Sequence, residues 1–172
     1  ITEDITMSVI NFAKRQKIDV VFDAEQEELY CDIDIDQMER IMLNILSNAI
    51  KYNKPNGNID VIVKDRKEKV YIDVIDSGIG IPKDRINTIF DRFERMENKN
   101  AVIKEGSGIG LSIVKKLVDA LDGEINIESE VDKGTTVRLI FKKSKNQNGI
   151  EEVYDISQHL EEKVNLEMSD IS

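Results

Sequence analysis

D-Q-M-E-R-I-M-L-N-I-L-S-N-A-I-K-Y, residues 36–52, decides how the rest of the chain is read. At a helical period Met38, Met42, Ile45 and Ala49 share one face, the stripe that a core-facing helix needs. The other face carries Gln37, Arg40, Asn44, Ser47, Asn48 and Lys51. Asn44, Asn48 and Lys51 stand at i, i+4 and i+7, so two carboxamides and an ammonium project the same way from successive turns. Asparagine competes with its own backbone for hydrogen bonds and is a mediocre helix residue. Two of them a turn apart predict a polar face that meets more than water; the ordinary alternative is a solvated helix surface.

Outward from this helix, Asp36 and Glu39 are spaced as a capping box at its start, and the run Asn53-Lys54-Pro55-Asn56-Gly57-Asn58 breaks it after Tyr52. Upstream, residues 2–16 read as an amphipathic helix with Thr2 as N-cap and Ile5, Val9, Phe12 and Ala13 as its stripe. Ile18–Phe22 and Leu29–Ile33 read as short strands. Downstream, Ile59–Lys64 and Val70–Asp76 alternate as strands around a charged hairpin link at 65–69. D-S-G-I-G-I-P (76–82) and a short helical piece ending at I-F-D-R-F (89–93) follow, then an aperiodic loop, 94–105. G-S-G-I-G-L (106–111) opens a helix with the stripe Ile113, Val114, Leu117, Val118 and Leu121, for which Gly123 is the expected left-handed stop. Glu124–Glu130 and Thr135–Lys142 form a last strand pair around Asp132-Lys133-Gly134. Residues 143–172 are an acidic tail, open between a docking segment, a disordered end and an extra edge strand, the last suggested by the alternation of Val164, Leu166 and Met168.

The bulk numbers exclude several function classes. A chain of 172 residues with 40% hydrophobic residues suits one domain and an appendage. The net charge of −10 argues against a broad nucleic-acid surface. No apolar run reaches the roughly 18 residues of a membrane span, so neither membrane contact nor nucleic acid is expected of this fragment. Cys31 is the lone cysteine and His159 the lone histidine, too few for a usual zinc site. The first residue is not Met and the pattern opens midway, which predicts a piece of a longer protein.

Two glycine segments invite a ligand. G-x-G-x-G at 106–110 ahead of a helix offers backbone N–H groups to phosphate, although its spacing is neither the dinucleotide fingerprint nor a P-loop, and an ordinary turn is the plain alternative. Asp76 at a strand end, followed by Gly78 and Gly80, could accept from the exocyclic amine of adenine, where guanine offers a carbonyl; alone, an Asx turn explains it as well. Carboxamide oxygens such as that of Asn48 are hard ligands, and Mg²⁺ on a triphosphate takes about one or two protein ligands.

Taken together and in this order, N-I-L-S-N-A-I-K-Y (44–52), D-S-G-I-G-I-P, F-D-R-F (90–93) and G-S-G-I-G-L-S-I-V (106–114) resemble the N box, first glycine box, F box and second glycine box of sensor histidine kinase catalytic domains. That family belongs to the GHKL superfamily shared with DNA gyrase, the ninety-kilodalton heat-shock chaperones and mismatch-repair ATPases. G-T-T-V (134–137) matches the closing strand, and the resemblance covers roughly residues 1–142. It implies a Bergerat-type ATP-binding fold: an α/β two-layer sandwich with a mixed, mostly antiparallel sheet on three main helices.

The resemblance also implies roles. Asn48 coordinates Mg²⁺, Asn44 supports the same face, and Lys51 and Tyr52 lie along the phosphates and ribose. Asp76 takes the adenine amine, Gly78 and Gly80 let the backbone approach, Ile81 packs on the base and Thr135 adds to its pocket. Arg95 reaches the γ-phosphate from a lid that also bears Lys99 and Lys104, while Gly106, Ser107, Gly108, Ile109, Gly110 and Leu111 form hinge and cradle. The hydrolytic members carry Glu, a general base, four residues before the metal-binding Asn; here Asn44 stands there and cannot take a proton. The implied activity is transfer of the ATP γ-phosphoryl group to a histidine on a separate helical dimerisation domain, and from there signalling to a response regulator. The phosphoacceptor motif is missing, and His159 lies in the tail, so no autophosphorylation is expected of this chain alone. An ATP-sensing interaction module without transfer activity is the alternative. The expected location is cytoplasmic, with a membrane-anchored parent protein.

Overall fold

The computed structural model describes residues 1–86, 88–90, 110–145 and 156–171, leaving aside the side chains of 156–159 and 170. Five strands form one sheet: β1 (Asp19–Ala24), β2 (Asn58–Arg66), β3 (Lys69–Asp76), β4 (Glu124–Glu130) and β5 (Gly134–Lys142), in the order β1-β2-β3-β5-β4. β1 runs parallel to β2, with the helix α3 (Ile35–Lys51) between them in the chain, and the remaining pairs are antiparallel. The expected mixed, mostly antiparallel architecture is therefore present. Alternation directs Ile59, Val61, Val70, Ile72, Val74, Val137, Leu139 and Phe141 to the helix layer, all nearly inaccessible to solvent.

α3 is the centre of that layer. Met38, Ile41, Met42, Ile45, Leu46, Ala49 and Ile50 are buried, and so are Asn44 and Ser47 on the polar face. Of the polar stripe, Asn44 and Ser47 are covered and Gln37, Asn48 and Lys51 half-buried, with α5 (Gly110–Ala120) packed on α3, while Arg40 is exposed. The cap lies two residues before the expected one: the Asp34 carboxylate accepts from Gln37 N at 2.9 Å, and Asp36 falls in the first turn. Asp34 and Gln37 hold the same spacing as the box read at Asp36 and Glu39, so the motif is right and its register is not.

Four other expectations are corrected. The N-terminal helix is broken into α1 (Thr2–Ser8) and α2 (Ile10–Arg15), with Ile1 rather than Thr2 at the cap. Thr6 Oγ1 donates to Thr2 O and Ser8 Oγ to Ile5 O, and such back-bonding hydroxyls bend a helix at the following residue. Leu29–Ile33 alternates in burial but is no strand. A tight turn (Ile33 N to Cys31 O, 3.1 Å) takes up part of its backbone, and Ser144 N reaches across to Tyr30 O at 2.8 Å without a strand ladder. At the end of α5 the left-handed residue is Asp122 (φ 52), not Gly123. Gly123 is required for space instead, since a Cβ there would sit 2.6 Å from the Phe141 ring.

The fourth concerns the tail, where α6 (Ile156–Glu167) and a short 3-10 helix (Ser169–Ile171) stand in place of the edge strand that its alternation had suggested as one alternative. Leu160, Val164, Met168 and Ile171 are buried against the core, at helical spacing, while Leu166 is 77% exposed. Lys163 Nζ bridges Asp36 Oδ1 (2.7 Å) and Glu39 Oε2 (2.6 Å), and Gln16 Nε2 donates to Ile171 O. The helical piece after the first glycine segment is α4 (Lys83–Ile86), followed by a turn at 88–90. No helix among the described residues is long and apolar enough to cross a membrane.

Candidate functional site

Asp76 ends β3 with its side chain on the helix-facing side, surrounded by chain that leaves it little water. Its Oδ1 accepts from Gly78 N at 2.8 Å and from Thr135 N at 3.2 Å. Among the described residues Oδ2 accepts no hydrogen bond. Burial pushes the carboxyl above the usual carboxylate range, and the two N–H donors only partly offset it. The result is a strong acceptor held rigidly on one oxygen.

The chain around Asp76 is tied at every step. Gly78 must be glycine because a Cβ would lie 2.4 Å from Tyr52 O, and Ile79 N donates to that same carbonyl at 3.0 Å. Gly80 turns the chain at φ +68 against the carbonyl of Glu130. Ile79 O accepts from Asp132 N at 2.8 Å, and Ile81 N donates to Ser129 Oγ at 2.8 Å. Ser77 joins the corner to the loop after α3: its Oγ accepts from Asn58 N and donates to Asn53 Oδ1. Ser129, Ser77 and Asn53 were not expected here. Asn53 sat inside the run read as a breaker and Ser77 inside the first glycine segment; nothing local marks Ser129, whose donor Ile81 is distant in sequence.

The second group lies along α3. Asn44 Nδ2 donates to Arg40 O of its own helix at 2.9 Å, which leaves Oδ1 turned toward α5. A Cβ on Gly110 would meet that Oδ1 at 2.8 Å and lie in ordinary contact with Asn48 Nδ2 at 3.8 Å, so the Asn44 carboxamide crowds the first residue of α5 with Asn48 beside it. Asn48 and Leu111, the second residue of α5, are half-buried. Lys51 Nζ lies 5.9 Å from the Tyr52 ring centroid, and burial pushes the Tyr52 phenol above its ordinary pKa. Asp76, Gly78, Gly80, Ile81 and Thr135 thus form one corner, Asn44, Asn48 and Gly110 another, and Tyr52 joins them through the end of α3. Arg95, Gly106, Ser107, Gly108 and Ile109, with Phe93, Lys99 and Lys104, lie outside the described residues, as does the side chain of His159.

No group of three or more His, Cys, Asp or Glu side chains that could hold a metal ion occurs among the described residues. The paired carboxamides fit a hard cation that brings most of its own oxygens, as one bound to a polyphosphate does. The chemistry available is therefore recognition of a donor by Asp76 and of a cation–phosphate group along α3.

Comparison with known proteins agrees with this geometry. The family model described as histidine kinase-, DNA gyrase B- and HSP90-like ATPase matches residues 33–145. The sensor histidine kinase WalK of Bacillus subtilis (strain 168) is 37% identical over 126 residues, 72% of this chain and 21% of that protein. The signal transduction histidine-protein kinase ArlS of Staphylococcus aureus (strain USA300) is 36% identical over 140 residues, 80% of this chain and 31% of that protein. The chain thus spans between 21% and 31% of the length of these curated relatives. The solved catalytic domain of the histidine kinase ThkA superposes with a TM-score of 0.72 at 26% identity, covering 83% of this chain and 91% of that one. The chain belongs to the histidine kinase-, DNA gyrase B- and HSP90-like ATPase family, as an ATP-binding catalytic domain of the sensor histidine kinase type.

Proposed function

We propose that this chain binds Mg-ATP and transfers the γ-phosphoryl group to a histidine on a separate helical dimerisation domain, in cytoplasmic two-component signalling, with a response regulator receiver domain as the next acceptor. Residues 1–142 form the catalytic unit in this reading. The observation that carries it is Asp76: a half-buried carboxylate with one oxygen pinned by Gly78 and Thr135 and the other left to accept from a ligand. An exocyclic amine satisfies that oxygen, whereas a carbonyl would face it with repulsion and leave it unpaired.

The phosphates then extend along the end of α3. Lys51 supplies a point charge, Tyr52 a half-buried ring beside it, and the start of α5 at Gly110 and Leu111 first-turn backbone N–H groups. Arg95 and the segment from Gly106 to Ile109 complete the phosphate side. Mg²⁺, when bound, would neutralise phosphate charge there, with Asn48 its protein ligand and Asn44 beside it. Asn44 also sets the outcome. Its Nδ2 is committed to Arg40 O, and a carboxamide oxygen is no base at neutral pH, so no side chain at this position draws a proton from water. ATP is kept for an imidazole nucleophile, and the chain contributes by positioning and electrostatics.

Two measurements test this. Calorimetric titration with ATP, ADP and GTP, with and without Mg²⁺, should show Mg²⁺-dependent adenine selectivity; GTP bound as tightly as ATP would overturn the assignment of Asp76. Addition of a matching histidine-bearing helical domain should yield phosphohistidine, and binding without transfer would leave an ATP-sensing module.

A further inference from the structure

Asp76, Thr135 and Ser129 form one lateral row across the sheet, because Thr135 is the register partner of both Asp76 on β3 and Ser129 on β4. All three face the helix layer, in step with Val74, Val137 and Ile125 on their own strands. Around Ser129 Oγ stand three partners: Ile81 N at 2.8 Å, Gly134 O at 2.8 Å and Thr135 Oγ1 at 2.9 Å. A serine hydroxyl has one proton and two acceptor positions. A backbone N–H can only donate and a backbone carbonyl can only accept. The Ser129 proton therefore goes to Gly134, one acceptor position is filled by Ile81 N–H, and the other takes the proton of Thr135. Thr135 is left with lone pairs alone for anything that approaches it from outside the row.

We propose that Ser129 is a specificity-determining residue. By taking the Thr135 proton it converts the Asp76–Thr135 edge into acceptors only, which favours a nucleobase that presents an exocyclic amine and disfavours one that presents a carbonyl in its place. This rests on the reading of the Asp76 corner as the base-binding site. Without Ser129 the Thr135 hydroxyl becomes a free rotor that can donate as readily as accept, and discrimination falls to Asp76 alone. Ser129 acts through Thr135 and is a positioning residue for the base.

The test is calorimetric titration of the chain with Mg-ATP and Mg-ITP, whose bases present an exocyclic amine and a carbonyl respectively, with N1 an acceptor in the first and an N–H donor in the second. Ser129→Ala should lower the ATP-to-ITP affinity ratio about tenfold, the scale of one neutral hydrogen bond gained or lost. Ser129→Thr, which keeps the hydroxyl, should hold the wild-type ratio. In a Thr135→Val background Ser129→Ala should leave the ratio unchanged. Equal weakening of both nucleotides by Ser129→Ala, or a ratio change that persists beside Val at 135, would overturn the proposal in favour of a loop-anchoring role. Should Ser129→Ala fail to fold, Thr135→Val alone decides, since it must weaken ATP more than ITP. Failure of the wild-type chain to bind ATP at all would refute the base-site reading itself, a separate result.

Discussion

The carbonyl of Tyr52, at the end of α3, accepts a hydrogen bond from Ile79 N at 3.0 Å and leaves no room for a side chain on Gly78. The helix that carries the carboxamides and the segment that carries Asp76 are thereby one rigid unit. Substituting Gly78→Ala would push a methyl to 2.4 Å from that carbonyl and 2.8 Å from Asp76 Oδ1. The expected cost is about 1–3 kcal/mol of stability, as for other overpacked sites. Nucleotide affinity should fall further than this, because the collision moves the Asp76 acceptor as well. Urea melts beside ATP titrations check it; wild-type affinity in a destabilised variant would separate α3 from the site.

Asp76→Asn should abolish most of the ATP affinity, about 10- to 100-fold for one charged hydrogen bond, without loss of stability. The direction of the stability effect follows from the raised carboxyl pKa. A pKa higher in the folded than in the unfolded chain gives stability that is full below the ordinary Asp value and lost as pH rises through the folded value. At neutral pH the wild type therefore carries the cost of a half-buried charge, and Asp76→Asn should melt no lower. The gap between the two should close as pH falls toward the ordinary Asp range. ATP affinity of the wild type should weaken on the same descent, as the acceptor is protonated.

How far the sequence discloses such features depends on how local they are. The stripe of α3 was legible because Met38, Met42, Ile45 and Ala49 repeat within one element, and the covering of Asn44 on the opposite face agrees with a polar face that meets more than water. Leu29–Ile33 misled because alternation reports which side chains turn inward, whereas a strand needs a neighbour whose backbone is available. In the tail, Leu160, Val164, Met168 and Ile171 held a helical period, but the shorter alternation through the exposed Leu166 masked it. Ser129 was illegible for a different reason: its meaning depends on the register of β4 against β5 and on a loop that precedes them by over forty residues.

Lys163 and Glu39 join α6 to α3, and only Glu39 is deeply buried. Lys163→Met should destabilise the fold by about 1–3 kcal/mol, largely the cost of leaving a buried carboxylate without its partner. Glu39→Gln in the same chain should recover part of that loss. A double-mutant cycle in urea measures it, and strict additivity would mean that the apolar contacts of Leu160, Val164 and Met168 alone hold α6.

Asp73, 1% exposed, takes Lys64 Nζ at 2.7 Å and the Arg138 guanidinium at 2.6 and 2.9 Å on the other face of the sheet. Desolvation would raise its carboxyl pKa, but the two cations outweigh it and hold it below the ordinary range. A depressed pKa gives stability that is present above the ordinary Asp value and lost as pH falls through the folded value. Asp73→Asn should therefore be clearly less stable than wild type at neutral pH and converge with it in acid. A constant difference across the whole range would refute the ion-pair account.

Asn48 and Gly110 test the cation side of the site. Asn48 is half-buried and Asn44 is fully covered, so Asn48→Ala removes a carboxamide without opening the core. Mg²⁺-supported ATP affinity should drop about tenfold or more, while binding of metal-free ATP should change little, because only the former uses the carboxamide oxygen. Gly110→Ala should produce the same pattern by another route, since its methyl would meet Asn44 Oδ1 at 2.8 Å and displace that carboxamide, one turn before Asn48. The two variants together should be no worse than either alone if they act on one cation position. Additive losses, or equal loss of metal-free binding, would instead assign this end of α3 to the phosphates themselves.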